Sequence, residues 1–302
     1  MTERKLKKKE FTEVASYIIN LKIHSEETDK QKLYSSIFEQ VYNLREFFVR
    51  IGNKNGLDIR KISKITFTKK ELGNEFDTLE YNNYDIYIGE FVKFKIEDEN
   101  DKYYNTEKKE LKPGNPEAIE KPNATQIQFF FIPSIHRFFL PVHHKITPQQ
   151  LKLFFEKALL EIYDNEDYFN IDISKSTEVV DKIYEFKKLK KLHLSISYTN
   201  DDLGDDAKTF MDTILKDSNI TTYIGDYKAE KNDSLNMESK LIKGGIELSK
   251  ENGELIAVGE NDFQNRVVIN TKNKFEQFPL KIKKGANPLI SAIKQVLTNW
   301  RL

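Results

Sequence analysis

The sequence predicts an α+β protein: a ferredoxin-like antiparallel sheet domain over residues 1–175, then a smaller mixed α/β domain over residues 176–302. Three observations predict it. Patterns between residues 11 and 175 interleave as strand–helix–strand–strand–helix–strand. A second series of the same element types follows, without repeating the residues of the first. And 302 residues exceed what one small core holds.

Residues 14–24 alternate, with Ala15, Tyr17, Ile19, Leu21 and Ile23 on one parity and Ile18, Asn20 and Lys22 on the outward one. Asp29 can cap a helix near 31–48 that carries Leu33, Ile37, Val41, Leu44 and Phe48 at helical spacing. Residues 62–68 form a short strand and residues 84–96 a longer one, with Ile86, Ile88, Val92 and Phe94 on one face. The polar stretch 97–124, with Pro113, Gly114, Pro116 and Pro122, reads as an insertion or flexible loop. Strands at 126–132 and 137–142 form a hairpin or a sharply bent strand around Pro133. Thr147-Pro148 starts a helix to 163 with Leu151, Phe154, Phe155, Ala158 and Leu159 inward, and Phe169, Ile171 and Ile173 close the sheet.

The domain boundary is expected between Ser174 and Lys187. Beyond it come a strand at 192–198, a helix at 203–216, and a strand at 221–226. A helix at 235–249 is weakened by Gly244-Gly245, at about 1 kcal/mol per Gly against Ala. Short strands at 254–258, 266–271 and 278–282 precede an amphipathic helix at 288–300 that ends this domain.

Composition excludes several function classes. The chain has no cysteine, so disulfides, thiolate metal sites and thiol nucleophiles are out. No apolar run reaches bilayer length and no secretory signal is visible, so a cytoplasmic protein without a membrane partner is expected. Net charge is zero but unevenly placed: residues 1–70 carry +7, residues 71–130 carry −7 and residues 271–302 carry +6. Of 48 basic residues only 7 are Arg, and Arg is the better phosphate clamp, so Lys-rich runs count for less.

Four constellations bear on chemistry. Phe129, Phe130, Phe131, Phe138 and Phe139 could stack bases, but strand alternation sends them to both faces and core packing is the expectation. His136, His143 and His144 flank a strand that would hold them too far apart to share one ion, so no metal is expected. Asp201, Asp202, Asp205 and Asp206 read as helix-capping carboxylates. Lys187, Lys188, Lys190 and Lys191 at a strand entry, with Lys283 and Lys284 beside a helix start and Arg137, are the candidate nucleic-acid contacts. No phosphate-loop, dinucleotide or hydrolase motif occurs, and no cofactor or catalytic residue is expected.

The segment Ile86-Tyr-Ile-Gly-Glu-Phe-Val-Lys, then Phe129-Phe-Phe-Ile-Pro-Ser, Thr147-Pro and the helix over 151–160 resemble a family of uncharacterised bacterial proteins encoded among phage-defence and mobile-element genes. The likeness spans about the first two-thirds of the chain. It implies an antiviral defence context and carries over no catalytic residue. Together these readings predict a non-catalytic binding or assembly subunit, with RNA or single-stranded DNA, or proteins from neighbouring genes, as partners. The alternatives are a metal-dependent nuclease using Asp172, Asp201 or Asp202, and a protein-interaction scaffold without nucleic acid.

Overall fold

The computed structural model describes residues 11–73, 80–98, 100–115, 117–142, 145–198, 206–262, 264–283 and 288–299. Its first sheet begins with the long strand β1 (Phe11–Ile23) and crosses through helix α1 (Lys30–Tyr42). Asp29 caps α1 by accepting from the Lys32 amide at 3.0 Å, satisfying a donor the helix cannot pair itself. Then come β2 (Val49–Ile51), β3 (Asn55–Thr68), the single turn α2 (Lys69–Leu72) and β4 (Asn83–Lys95). Residues 62–68 are the end of a longer strand than their own pattern shows, because β3 pairs with β4 along its whole length around one bulge near Arg60.

The polar stretch after β4 holds a separate hairpin, β5 (Lys102–Asn105) with β6 (Glu110–Pro113). Strands β7 (Thr125–Ile132) and β8 (Arg137–Pro141) form the expected hairpin about a 3₁₀ turn at Pro133–Ile135, and His136 leaves that turn in the left-handed region at φ 45°. Helix α3 (Pro148–Tyr163) starts at a reciprocal box in which Thr147 and Gln150 each bond the other's backbone amide. Strand β9 (Phe169–Ile173) follows.

The large antiparallel sheet runs from a C-terminal strand, β14 (Phe278–Lys283), through β1-β8-β7-β4-β3-β2, with β9 also on β1. Alternation divides its side chains between two apolar layers. Ile19, Leu21, Phe129, Phe131 and Phe138 pack with Phe38, Phe154 and Phe155 of α1 and α3. Ile18, Ile132 and Phe139 face the other way, and Phe130 packs against that second layer. All five hairpin phenylalanines are therefore packing residues. Each fully buried one contributes about 1.5–3 kcal/mol of transfer free energy.

The small lobe comprises the short helix α4 (Thr177–Asp181), β10 (Lys188–Ile196), α5 (Asp206–Asp217), β11 (Tyr223–Lys228), α6 (Lys240–Ser249), β12 (Gly253–Glu260) and β13 (Arg266–Asn270). Its sheet order is β11-β10-β12-β13, all antiparallel. Met211, Leu215, Ile242 and Ile246 of α5 and α6 cover one face, over Leu192, Leu194, Leu255 and Ala257.

The chain then returns. Strand β14 (Phe278–Lys283) pairs with the first half of β1, from Phe11↔Lys283 to Ser16↔Phe278. Helix α7 (Pro288–Asn299) packs Ala292, Ile293, Val296 and Leu297 against Ile18, Phe139 and Leu280. The division at residue 175 is thus corrected for the C-terminal stretch: residues 278–299 complete the large sheet rather than the small lobe. Local periodicity shows that a segment has an apolar face, but not which of two sheets will cover it.

Candidate functional site

The outward parity of β1 decides where the site lies. Asn20 and Lys22 are not outward but 1% and 0% exposed, because the small lobe closes over them. A buried ammonium or amide is tolerated only when bonded, and the two lobes supply the bonds. Asn20 Nδ2 donates to Asn252 Oδ1 at 3.0 Å, and its Oδ1 lies 2.5 Å from His136 Nδ1, which places the His136 proton on Nδ1. The His136 ring stacks on Tyr34 at 5.1 Å between centroids. Lys22 Nζ donates to Ser197 Oγ at 3.3 Å and sits 4.8 Å from the Tyr198 ring centroid; Ser197 Oγ donates in turn to Asp172 Oδ2 at 3.2 Å. The Tyr198 hydroxyl bonds His24 Nδ1. Burial holds the His24 pKa below its ordinary value, Lys22 adds to that, and Asp167 partly opposes it.

Beside this seam a groove of about 710 Å³ opens between the lobes. Lys152, Leu153 and Glu156 of α3 form one wall, β9 with Phe169 and Ile171 the floor, and Ser195, Gly253, Glu254 and Phe275 the other side. Gly253 is required here: its φ is +153°, and a Cβ would stand 2.1 Å from the Ser195 carbonyl oxygen. Lys175 lines the groove at 7% exposure. Its Nζ donates to the Lys272 carbonyl at 3.4 Å and lies 5.0 Å from the Phe275 ring centroid. Burial lowers its pKa, with Glu254 and Asp172 opposing. Formal charges along the lining balance: Lys152, Lys157, Lys175 and Lys272 face Glu156, Glu166, Asp172 and Glu254.

The groove runs onto the uncovered face of the small sheet. Pairing sets its side chains in rows: Lys228, Lys191, Val258 and Val268; then Asp226, His193, Ile256 and Asn270; then Ile224, Ser195 and Glu254 at the groove. Ile224, Ile256 and Val268 are solvent-exposed on it, at 66%, 39% and 52%. His193 Nδ1 lies 2.8 Å from Asp226 Oδ1.

The candidate contacts separate on this frame. Lys191 is exposed on the open face, opposite Lys228. Lys187 is exposed just before β10, and Lys188 is half-buried opposite Glu260. Lys190 is turned aside by the β10 bulge, donating to the Asp233 carbonyl at 2.7 Å. Arg137 is fully buried and its Nη2 bonds Glu251 at 3.1 Å, so its guanidinium belongs to the lobe junction rather than to a phosphate-facing surface. Lys283 ends β14, but its side chain, like Lys284 as a whole, lies outside the described residues. So do Asp201, Asp202, Asp205, His143 and His144; Asp206 begins α5. Among the described residues no group of three or more His, Asp or Glu is placed to hold a metal ion. Sequence reasoning missed Asn20, Lys22 and Lys175. The signal for the first two was present: polar residues interrupting an otherwise apolar strand.

Residues 12–298 match the family described as a domain of unknown function, DUF4747. The chain belongs to that family. The match takes in both lobes and the returning strand, so the family unit includes the groove. No curated protein matches the chain. No helix among the described residues is long and apolar enough to cross a membrane.

Proposed function

We propose that this chain is a non-catalytic binding or assembly subunit whose ligand is single-stranded RNA, laid across the open face of the small sheet. That face is the observation behind the reading. An antiparallel sheet backed by α5 and α6 presents Lys191 and Lys228 for phosphates and His193 for base stacking, and the Lys187–Lys191 run leads onto it. The large sheet supports the same class. We read its strands β9-β1-β8-β7, with α1 and α3 packed on one face and β2 to β6 as an insertion, as the expected ferredoxin-like split βαβ unit. The antiviral setting belongs to the proposal through the resemblance alone; a bacterium carrying the gene with its neighbours should plate phage less efficiently than one without.

Charges on and beside the face are mixed, so few phosphates are neutralised. Two contacts through Lys191 and Lys228 give a slope of log affinity against log salt of about −1.4. Anisotropy titrations of a labelled oligouridylate across a salt series measure it. Lys191→Glu with Lys228→Glu should remove the slope and most of the affinity. Absence of binding to any single- or double-stranded RNA or DNA at low salt overturns the reading. Metal-dependent loss of the oligonucleotide would favour a nuclease using Asp172, Asp201 or Asp202 instead. Exposed Ile224, Ile256 and Val268 favour a protein-assembly scaffold as the second reading.

A further inference from the structure

We infer that the groove between the lobes is a binding site for a small molecule with an anionic head, carboxylate or phosphate, and an apolar body, the head meeting Lys175. The site adjoins the open sheet face, sharing Ser195 and Glu254 with it, but does not rest on RNA binding. Its volume of about 710 Å³ falls within the range of ligand sites, about 300–1,000 Å³, and it lies at a lobe interface, where such sites concentrate. Its chemistry is divided. Leu153, Leu160 and Phe275 provide apolar surface, and Lys175 provides a charge.

Lys175 is the unusual element. A lysine with only 7% of its surface exposed ordinarily sits against a carboxylate. Here Nζ makes one long bond, 3.4 Å to a backbone carbonyl, and faces an aromatic ring at 5.0 Å. Among the described residues no carboxylate comes within 4.0 Å of it, although Glu254 and Asp172 act on it through space. Asp172 is engaged by Ser197. With that single bond the ammonium keeps donor capacity at the groove lining, and the lowered pKa reports the cost of its burial. An anion there would gain charge-assisted hydrogen bonds in a partly desolvated site. The groove's overall charge balance argues against a long polyanion, and the single anionic head follows from Lys175.

The test is fluorine-detected NMR titration of the full chain with 4-fluorophenyl phosphate and 4-fluorobenzoate, against neutral 4-fluorobenzyl alcohol. Both anions should bind saturably and the alcohol about tenfold more weakly. Comparing phosphate with carboxylate identifies the preferred head group. Lys175→Met should lose about tenfold for the anions and leave the alcohol unchanged. Glu254→Gln, which removes a nearby negative charge and leaves Lys175 intact, should tighten anion binding severalfold and supplies the test if the methionine variant does not fold. Lys191→Glu with Lys228→Glu should not change the titration, which separates this site from the RNA reading. Equal binding of anion and alcohol, or anion affinity unmoved by Lys175→Met or Glu254→Gln, overturns the proposal.

Discussion

Gly244→Ala is a substitution on which two physical effects disagree in sign. Gly244 sits inside α6, where Ala is favoured over Gly by about 1 kcal/mol. On propensity alone the variant gains stability. The structure opposes this. A Cβ at 244 would stand 2.1 Å from the Ala207 carbonyl oxygen and 3.0 Å from Met211 Cβ. The first obstacle is backbone of α5, so relief requires α5 to withdraw by about 1.3 Å to reach ordinary contact at 3.4 Å. Met211 and Leu215, 1% and 0% exposed, would then lift from the small-lobe core. A gap of 0.5–1 Å forfeits about a quarter to a half of a dispersion contact. Across two buried side chains, with the strain of overpacking, the loss is about 2–4 kcal/mol, and the net is a destabilisation of about 1–3 kcal/mol. Gly245→Ala is the control. Its nearest obstacle is Leu194 Cδ1 at 2.4 Å, the tip of a side chain that can rotate, so it should stay within about 1 kcal/mol of wild type. Urea unfolding followed by circular dichroism measures both. If Gly244→Ala is more stable than wild type, or matches Gly245→Ala, the close approach of α5 and α6 does not carry the weight assigned to it.

Phe138→Ala should cost about 3–5 kcal/mol in the same assay, since Phe138 is fully buried, with the Phe129 ring tilted against it at 4.5 Å and the Phe155 ring edge-on at 5.0 Å. The His24 pKa is lowered in the folded chain, first by burial, so the unfolded chain takes up more protons around its ordinary value of 6.5. Stability from this group is therefore complete above pH 6.5 and lost as pH falls through the folded pKa; thermal melts should decline over that window, and His24→Gln should flatten the decline. Glu251→Gln removes the carboxylate that meets both Arg137 at 3.1 Å and Lys208 at 3.4 Å, and should lower the unfolding midpoint by an amount that Arg137→Met in the same chain partly restores.

Most helices were legible because their signals are local. Asp29, Thr147 and Pro148 mark starts by capping chemistry, and Leu151 to Leu159 mark the buried stripe of α3. The extent of β3 was hidden because Asn55, Gly56, Asp58 and Lys61, ahead of the expected strand at 62–68, look unlike a strand until β4 pairs with them. The site was hidden for a related reason. Asn20 and Lys22 read as solvent-facing on β1, and only the approach of Asn252 and Ser197, 232 and 175 positions away, turns them into a buried junction. Lys175 follows β9 as one lysine among many; what distinguishes it is burial. The Lys187–Lys191 run was visible, but not that a bulge would turn Lys190 away while Lys191 stayed on the open face.

The return of β14 to β1 gives the molecule a mechanical character. Phe11 lies opposite Lys283, so the outer ends of the first and last strands of the sheet sit side by side. Antiparallel strands pulled apart from adjacent ends open one hydrogen bond at a time, like a zipper, rather than shearing together. Tension applied at residues 11 and 283 would therefore peel β14 from β1 at low force, from Phe11–Lys283 towards Ser16–Phe278. The pairing of β1 with β8 and β9, at residues 16–23, lies beyond that peeling front. Helix α7, packed on Leu280 and Ile18, covers this latch, so an unfoldase pulling from beyond β14 has to strip α7 before the peeling begins.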